Sequence, residues 1–454
     1  MYFYFVALTL FILSSFFPVY FPFSESKTAT SVDTRSSSSS PSLLFFSPDV
    51  HDGTMTDLAA SLTAFNHSVF FYNYKCSLPA YSEMKRRVVT DQQYVMQDLK
   101  QEQPQILFPT KEICKTNKLF SYNMDSVHRI WKLFRGNRVF QQVDAILCMF
   151  YPSECQNYIV FNKTVVFIPA HRFLIRRCYN NDSSSLLKWM FNQPKAPVIV
   201  MAAGRYDAEY INYYSGKNIP YIISSTILLY TPPVIYSPIW NEFLYAPFKN
   251  NIYSKKYKQM VTDACTREGK PCFLVNIRER VKGRFHYRDI NKFKAAVVFP
   301  YAVLSYYLAD LVATAIPMFV PSPSFIVENE VAHDIKASDS HYCGAQFQEP
   351  PKHPKSKHLF SPEDHSANAT EYWLRYASYY TPCSIVFRNM SHLVHLMQNT
   401  NYSEVYQCNL NYRKQILDHN RREWNNLFQK IEKHRRMPNS IRESLDWYKE
   451  STFY

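Results

Sequence analysis

The chain has 454 residues, with 51 Lys and Arg against 37 Asp and Glu, a net charge of +14, and only 7 Gly beside 27 Pro. That length supports two or three domains with cores of their own, and 46% hydrophobic residues make the bulk globular rather than disordered. So few glycines exclude collagen-like and Gly-rich classes. Neither G-x-G-x-x-G nor G-x-x-x-x-G-K-[ST] occurs, so ordinary dinucleotide-binding and P-loop readings lose their main support. The positive charge suits an anionic partner: nucleic acid, anionic lipid, sulfated glycan or a nucleotide-linked substrate. Its knots, at Lys85 to Arg87, Lys255-Lys256, Arg278 to Arg284 and Arg435-Arg436, are scattered as on a solvated surface.

Residues 1–23 include an uncharged apolar stretch, Tyr2 to Phe23. About 20 such residues span a bilayer, so a signal-anchor and a cleaved signal peptide are the two readings. Residues 24–41 are Ser/Thr-rich and read as a stem. Sequons follow at Asn66, Asn162, Asn181, Asn368, Asn389 and Asn401, and ten cysteines lie between Cys76 and Cys408. Together these predict a lumenal or extracellular body with disulfides of undetermined pairing. A Golgi or ER membrane protein with a lumenal body is expected, secretion after signal cleavage being the alternative. No C-x-x-C pair or His/Cys zinc spacing is present. A lumenal address also conflicts with binding nucleic acid.

Short apolar runs then alternate with helix-length segments. In 42–232, strands are predicted at 42–48, 67–75, 145–151, 164–170, 197–204 and 220–226, with helices at 55–65 and 205–216. Continuous apolar strands of this kind belong to a parallel sheet covered on both faces. A Pro-rich break, 230–238, separates a second alternation over 233–425. It has strands at 242–248, 271–278, 294–301 and 316–322 and helices at 253–266 and 303–314. Residues 327–365 are a Pro-, His- and Lys-rich insertion read as an exposed loop, and 426–454 is a helical tail. The fold class is α/β: two facing Rossmann-like doubly wound domains with a cleft between them. Ligands of such sheets bind beyond the strand carboxyl ends.

Candidate chemistry follows from those ends. The segment Val297 to Pro323 brings Pro300, Tyr301 and Ser305 to a strand end and a helix N-terminus. Its helix carries one acid, Asp310, among apolar residues, where a carboxylate is costly unless it has partners. Asp310 either faces solvent or a neighbouring element, or accepts sugar hydroxyls at a nucleotide pocket. Asp49, His51 and Asp52 follow the first strand. His51 or Asp52 suits a general base, while an acid at that position also suits a helix N-cap. Arg278, with Lys249 as second choice, suits phosphate stabilisation. His171 and Arg172, and Arg205 with Asp207, follow two further strands toward the cleft, although structural roles are equally open to them.

The run Ala309-Asp310-Leu311-Val312-Ala313-Thr314-Ala315-Ile316-Pro317 resembles the E-A-M-A-x-G-x-P block of the GT-B glycosyltransferase superfamily. In that family the Glu binds the donor ribose. Asp310 stands at the Glu position, Pro317 at the Pro, and Ala315 replaces the Gly. Blocks at 167–173, 204–210 and 373–385 resemble uncharacterised invertebrate GT-B-like proteins. The resemblance, over residues 42–425, implies an acceptor domain at 42–232 and a donor domain at 233–425. It implies metal-independent transfer of a sugar from a nucleotide-sugar donor to a glycan or glycoprotein, with no cofactor and no bound metal. The alternative is a non-catalytic glycan-binding secreted or surface protein on a degenerate GT-B fold. A sulfotransferase reading lacks its phosphate-binding loop.

Overall fold

The computed structural model describes residues 42–48, 52–72, 106–107, 124–150, 155–170, 183–191, 198–223, 233–246, 252–282, 285–300, 302–329 and 349–436. The apolar N-terminal stretch and the stem lie outside these. Among the described residues, no helix is long and apolar enough to cross a membrane.

The strands make two parallel sheets. The first joins β1 (Leu44–Pro48), β2 (Ser68–Tyr72), β3 (Ile106–Leu107), β4 (Ala145–Phe150), β5 (Thr164–Pro169) and β6 (Val198–Val200) in the order β3-β2-β1-β4-β5-β6. The second joins β7 (Phe243–Ala246), β8 (Leu274–Val275), β9 (Ala296–Val298), β10 (Met318–Pro321) and β11 (Ile385–Phe387) in the order β11-β10-β9-β7-β8. Both are doubly wound orders, with switch points between β1 and β4 and between β7 and β9. Helices α1 (Asp52–Ala64), α2 (Met124–Phe134), α3 (Arg138–Gln142), α4 (Ser183–Phe191) and α5 (Arg205–Ser215) belong to the first half. In the second are α6 (Ile252–Arg267), α7 (Ile277–Arg280), α8 (Tyr287–Ile290) and α9 (Tyr306–Thr314). They are followed by α10 (Pro323–Glu328), α11 (Ala367–Leu374) and α12 (Met390–Asn399). The long α13 (Tyr402–Arg435) packs on both halves.

Strand side chains alternate between faces, so the apolar runs feed two cores at once. On one face Phe46, Ile146, Cys148, Val165 and Phe167 meet Ile130 and Phe134 of α2 and Phe140 of α3. On the other, Phe45, Val69, Leu147, Val166 and Ile168 meet Leu58 and Leu62 of α1. That second face is completed from the far end of the chain. Trp424, Leu427, Phe428 and Ile431 form an i, i+3, i+4, i+7 stripe on α13 and are all buried there. Asp144 fixes the helix end: its Oδ1 lies 3.3 Å from Arg435 Nε, and its Oδ2 accepts the Leu44 N–H at 2.8 Å. The helix runs unbroken through residues 425 and 426, and beyond them Leu427, Phe428 and Ile431 are buried in the first-half core.

Earlier turns of α13 satisfy the end of α9. Ala315, at the expected Gly position, caps α9 in the left-handed conformation with φ 60°, which costs an L-residue roughly 1–2 kcal/mol. Asn409 Nδ2 donates to the carbonyls of Ala315 and Ile316 at 3.2 and 3.0 Å, and Arg413 donates to Ala313 O. These bonds occupy carbonyls that a helix end leaves unsatisfied. Burial lowers the Arg413 pKa to about 10, which still leaves a cation at neutral pH.

Several expectations change. Of the strand predicted at 220–226, residues 220–223 are described, and they make a single parallel bridge, Ala202 to Tyr221. The strand at 271–278 shrinks to β8, and Asn276 starts α7 with a capping box, so Arg278 sits in a helical turn rather than at a strand end. The described end of the insertion, 349–365, packs against α5 and α11. His353 N–H donates to Tyr213 O at 3.0 Å, and His358 is buried. Gly216 permits this: it ends α5 at φ +64°, and a Cβ there would lie 2.2 Å from His353 Nδ1. Disulfides join Cys148 to Cys155, Cys265 to Cys272 and Cys383 to Cys408. Among the described residues no cysteine is free.

Candidate functional site

A cleft of about 420 Å³ opens where the two halves meet. One wall is Ala203, Gly204 and Arg205, just beyond the carboxyl end of β6, with Tyr221 and Ile223. The opposite wall is the start of α9, with Leu304, Ser305, Leu308, Ala309 and Val312, directly after β9 at the second sheet's switch point. The segment Arg375 to Pro382 and residues Tyr412 and Ile416 of α13 close it. The site is therefore built at strand carboxyl ends of both sheets, the place where doubly wound folds bind ligands.

Both helices that start at the cleft have first-turn N–H groups without a carbonyl four residues back. Gly204 precedes α5 and buried Ser305 precedes α9. Together with Arg205 and Arg375, they make this end of the cleft attractive to an anion. The Arg375 segment is well anchored. Ser378 donates to Val303 O from both N–H and Oγ at 3.1 Å, and Tyr380 OH donates to Pro321 O at 2.7 Å. Tyr376 forms part of the same wall, and burial pushes its pKa up to about 12, so it is a hydroxyl donor at neutral pH. The other end is apolar, where Ile223, Val312, Tyr412 and Ile416 pack together. One end thus suits a phosphate group and the other an apolar or planar group.

Behind the cationic end lies a hydrogen-bonded network. Glu209 on α5 accepts from His358, which holds its carboxyl below the usual range, and its other oxygen is 4.0 Å from Arg205 Nε. His358 Nδ1 is 3.0 Å from the Tyr372 hydroxyl. The Arg375 guanidinium lies 4.5 Å over the Tyr372 ring.

The sequence-derived candidates divide into three groups. Ser305 and Arg205 line the cleft. Pro300 is buried in the β9–α9 connection, and Asp310 is half-buried on α9, yet neither is among the lining residues. Arg278 is exposed on α7 and also stands outside the lining, while Asp207 is wholly buried in the first turn of α5. Asp49, His51, His171, Arg172, Lys249 and Tyr301 lie outside the described residues, and Asp52 is the first residue of α1. Strands β1 and β5 end at Pro48 and Pro169 on the same sheet edge as β6. By strand spacing, β1 is roughly 14 Å along that edge from β6. Among the described residues, no carboxylate or imidazole lines the cleft.

Sequence reasoning missed Arg375, Tyr376, Ser378 and His358. Arg375 and Tyr376 stand in the 373–385 block that carries part of the resemblance, and their clustering was the available signal. Nothing in the sequence places His358 behind this cleft. Of the sequons, Asn66, Asn368, Asn389 and Asn401 are exposed, Asn162 is half-buried, and Asn181 lies outside the described residues. Asn389 and Asn401 also cap α12 and α13 through Oδ1.

No family model matches the chain, and no curated protein does. Among solved structures, the glycosyltransferase SnogD from Streptomyces nogalater aligns at 9% identity with a TM-score of 0.40. It covers 86% of this chain and 100% of its own. The glycotransferase of kitacinnamycin aligns at 9% and 0.39, over 86% and 98%. The spinosyn rhamnosyltransferase SpnG, complexed with thymidine diphosphate, aligns at 11% and 0.34, over 79% and 100%. TM-scores this low assign neither family nor activity, so the chemistry has to come from the cleft.

Proposed function

We propose that the chain is a glycosyltransferase of the secretory pathway that moves a sugar from a nucleotide-sugar donor to a glycan or glycoprotein acceptor. The observation that carries this reading is the cleft: it joins the carboxyl ends of two doubly wound sheets and sets two arginines and two helix N-termini at one end. In the proposed reaction the acceptor oxygen forms a bond to the sugar's anomeric carbon as that carbon's bond to the diphosphate oxygen breaks. The acceptor proton passes to a base, and a nucleoside diphosphate leaves. Arg205, Arg375 and the N–H groups at the start of α9 would offset the charge developing on the leaving group. The base is assigned to His51 or Asp52 beyond β1. Neither a metal nor a further cofactor is invoked, and the N-terminal apolar stretch is assigned to membrane anchoring in the Golgi or ER.

A second reading, a glycan-binding protein without catalysis, is favoured by one fact: no base lines the cleft among the described residues. Turnover separates the two. The full chain, expressed through a secretory host, would be screened for donor hydrolysis against UDP-, GDP-, CMP- and dTDP-sugars. Glycosyl transfer predicts hydrolysis of at least one donor that is lost in Arg375→Ala. Donor binding without turnover favours the second reading, and no binding at millimolar donor sinks the first.

A further inference from the structure

The two arginines of the cleft are tied to one buried histidine that neither sheet supplies. His358 comes from the 349–365 segment and is 3% exposed. Its Nε2 lies 3.1 Å from Glu209 Oε2 and its Nδ1 lies 3.0 Å from the Tyr372 hydroxyl. An ionised carboxylate only accepts, so Nε2 donates to Glu209, and in the tautomer with its one proton there Nδ1 accepts the Tyr372 O–H. Trp373 fixes the ring plane, with centroids 4.6 Å apart and planes 30° from parallel.

Each end of this bridge holds one cleft arginine. Glu209 Oε1 stands 4.0 Å from Arg205 Nε, and the Tyr372 ring lies 4.5 Å beneath the Arg375 guanidinium. Arg205 is otherwise a solvated side chain, 59% exposed, with the Tyr376 ring 5.1 Å below it. Side chains this long lose rotamer freedom when they bind, so presetting them raises affinity without any new contact to the ligand. Two guanidinium groups offering paired N–H donors suit an anion with two phosphate units better than a single carboxylate.

We propose that His358 is a positioning residue: by holding Glu209 and Tyr372 it presets Arg205 and Arg375 as a two-pronged clamp for a diphosphate. This rests on the transferase reading above for its physiological ligand, the nucleoside diphosphate portion of the donor, but it is tested without one.

The test measures the affinity of the full chain for inorganic pyrophosphate by calorimetry, well below the melting temperature. His358→Phe keeps a ring on Trp373 and deletes both hydrogen bonds. It is expected to weaken pyrophosphate about tenfold, although it touches no ligand. Arg205→Ala is expected to cost about tenfold in the wild type and much less in the His358→Phe background, because the residues act as one unit. A purely structural histidine would lower the melting temperature and leave these losses additive. Where His358→Phe fails to fold, Glu209→Gln serves, with a loss in the same direction. Pyrophosphate affinity within about twofold of wild type in a folded variant, additive losses, or no pyrophosphate binding by the wild type would each overturn the proposal. If pyrophosphate behaves as expected while no nucleotide sugar binds, the transferase reading fails and the clamp stands. If donors turn over but pyrophosphate ignores His358, the clamp fails alone.

Discussion

Replacing Phe428 by alanine tests whether the last third of α13 is first-half core. Phe428 is 6% exposed, and its ring lies 4.2 Å from His67, 5.3 Å from Phe65, 5.7 Å from Trp424 and 6.0 Å from Phe45. Three of those neighbours come from near the start of the described chain, so the cavity would open between segments more than 350 residues apart in sequence. Buried Phe→Ala changes cost about 3–5 kcal/mol. Tight aromatic neighbours place this one near the middle, at about 4 kcal/mol. Against a total stability of roughly 5–15 kcal/mol, that is a large share. Urea unfolding followed by far-UV circular dichroism measures it, with exposed Asn425→Ala as a control expected to stay within about 0.5 kcal/mol. A Phe428→Ala loss below about 1 kcal/mol would refute the packing of α13 on the first sheet.

The remaining predictions concern pH, covalent links and backbone geometry. Burial lowers the pKa of His67 from 6.5, and its Nδ1 accepts the Leu43 N–H at 3.2 Å. A depressed folded pKa means that its stabilisation is present above about pH 6.5 and lost as pH falls through the lowered value. His67→Gln should therefore flatten the pH dependence of stability below about pH 6.5; an unchanged slope contradicts this. Opening Cys383–Cys408, separated by 25 residues, should cost about 3.5 kcal/mol, against about 2.4 for Cys148–Cys155, separated by 7. Paired Cys→Ser variants compared by urea unfolding should show that ranking, and the reverse order would contradict it. Gly216→Ala combines a left-handed backbone with the His353 ring and should destabilise by about 2 kcal/mol or more. A melting temperature equal to wild type would show that the 349–365 segment does not press on α5.

Much of the fold was legible because burial on both faces writes strands as continuous apolar runs. The expected strand at 164–170 is β5, and the helix expected at 205–216 is α5, bounded by Gly204 and Gly216. Short strands escaped: β3 has two residues and β11, Ile385–Phe387, has three, too few to establish a period. The stripe Trp424, Leu427, Phe428 and Ile431 was visible, but a periodic stripe does not say which sheet it covers.

The candidate site was legible at its second-half wall. Ser305 and the start of α9 follow from strand-then-helix order and from the resemblance around Asp310. The first-half wall at Gly204 and Arg205 was readable for the same reason. Arg375 and His358 were not, because their placement depends on contacts between distant segments. His358 looked like one more polar residue in an exposed insertion, and its partners are Tyr372 of α11 and Glu209 of α5, the latter 149 residues away in sequence. Asp310 drew attention as the lone acid of an apolar helix, yet the residues of α9 that line the cleft are Leu308, Ala309 and Val312.

The most direct measurement is calorimetric titration of nucleotide sugars into the full chain and its Arg375→Ala variant. Cleft-bound donor predicts saturable 1:1 binding of at least one nucleotide sugar, weakened about tenfold or more by the substitution, as expected for loss of a charge-assisted contact to phosphate. Equal donor affinity in wild type and variant, or no binding by the wild type at millimolar donor, would contradict it.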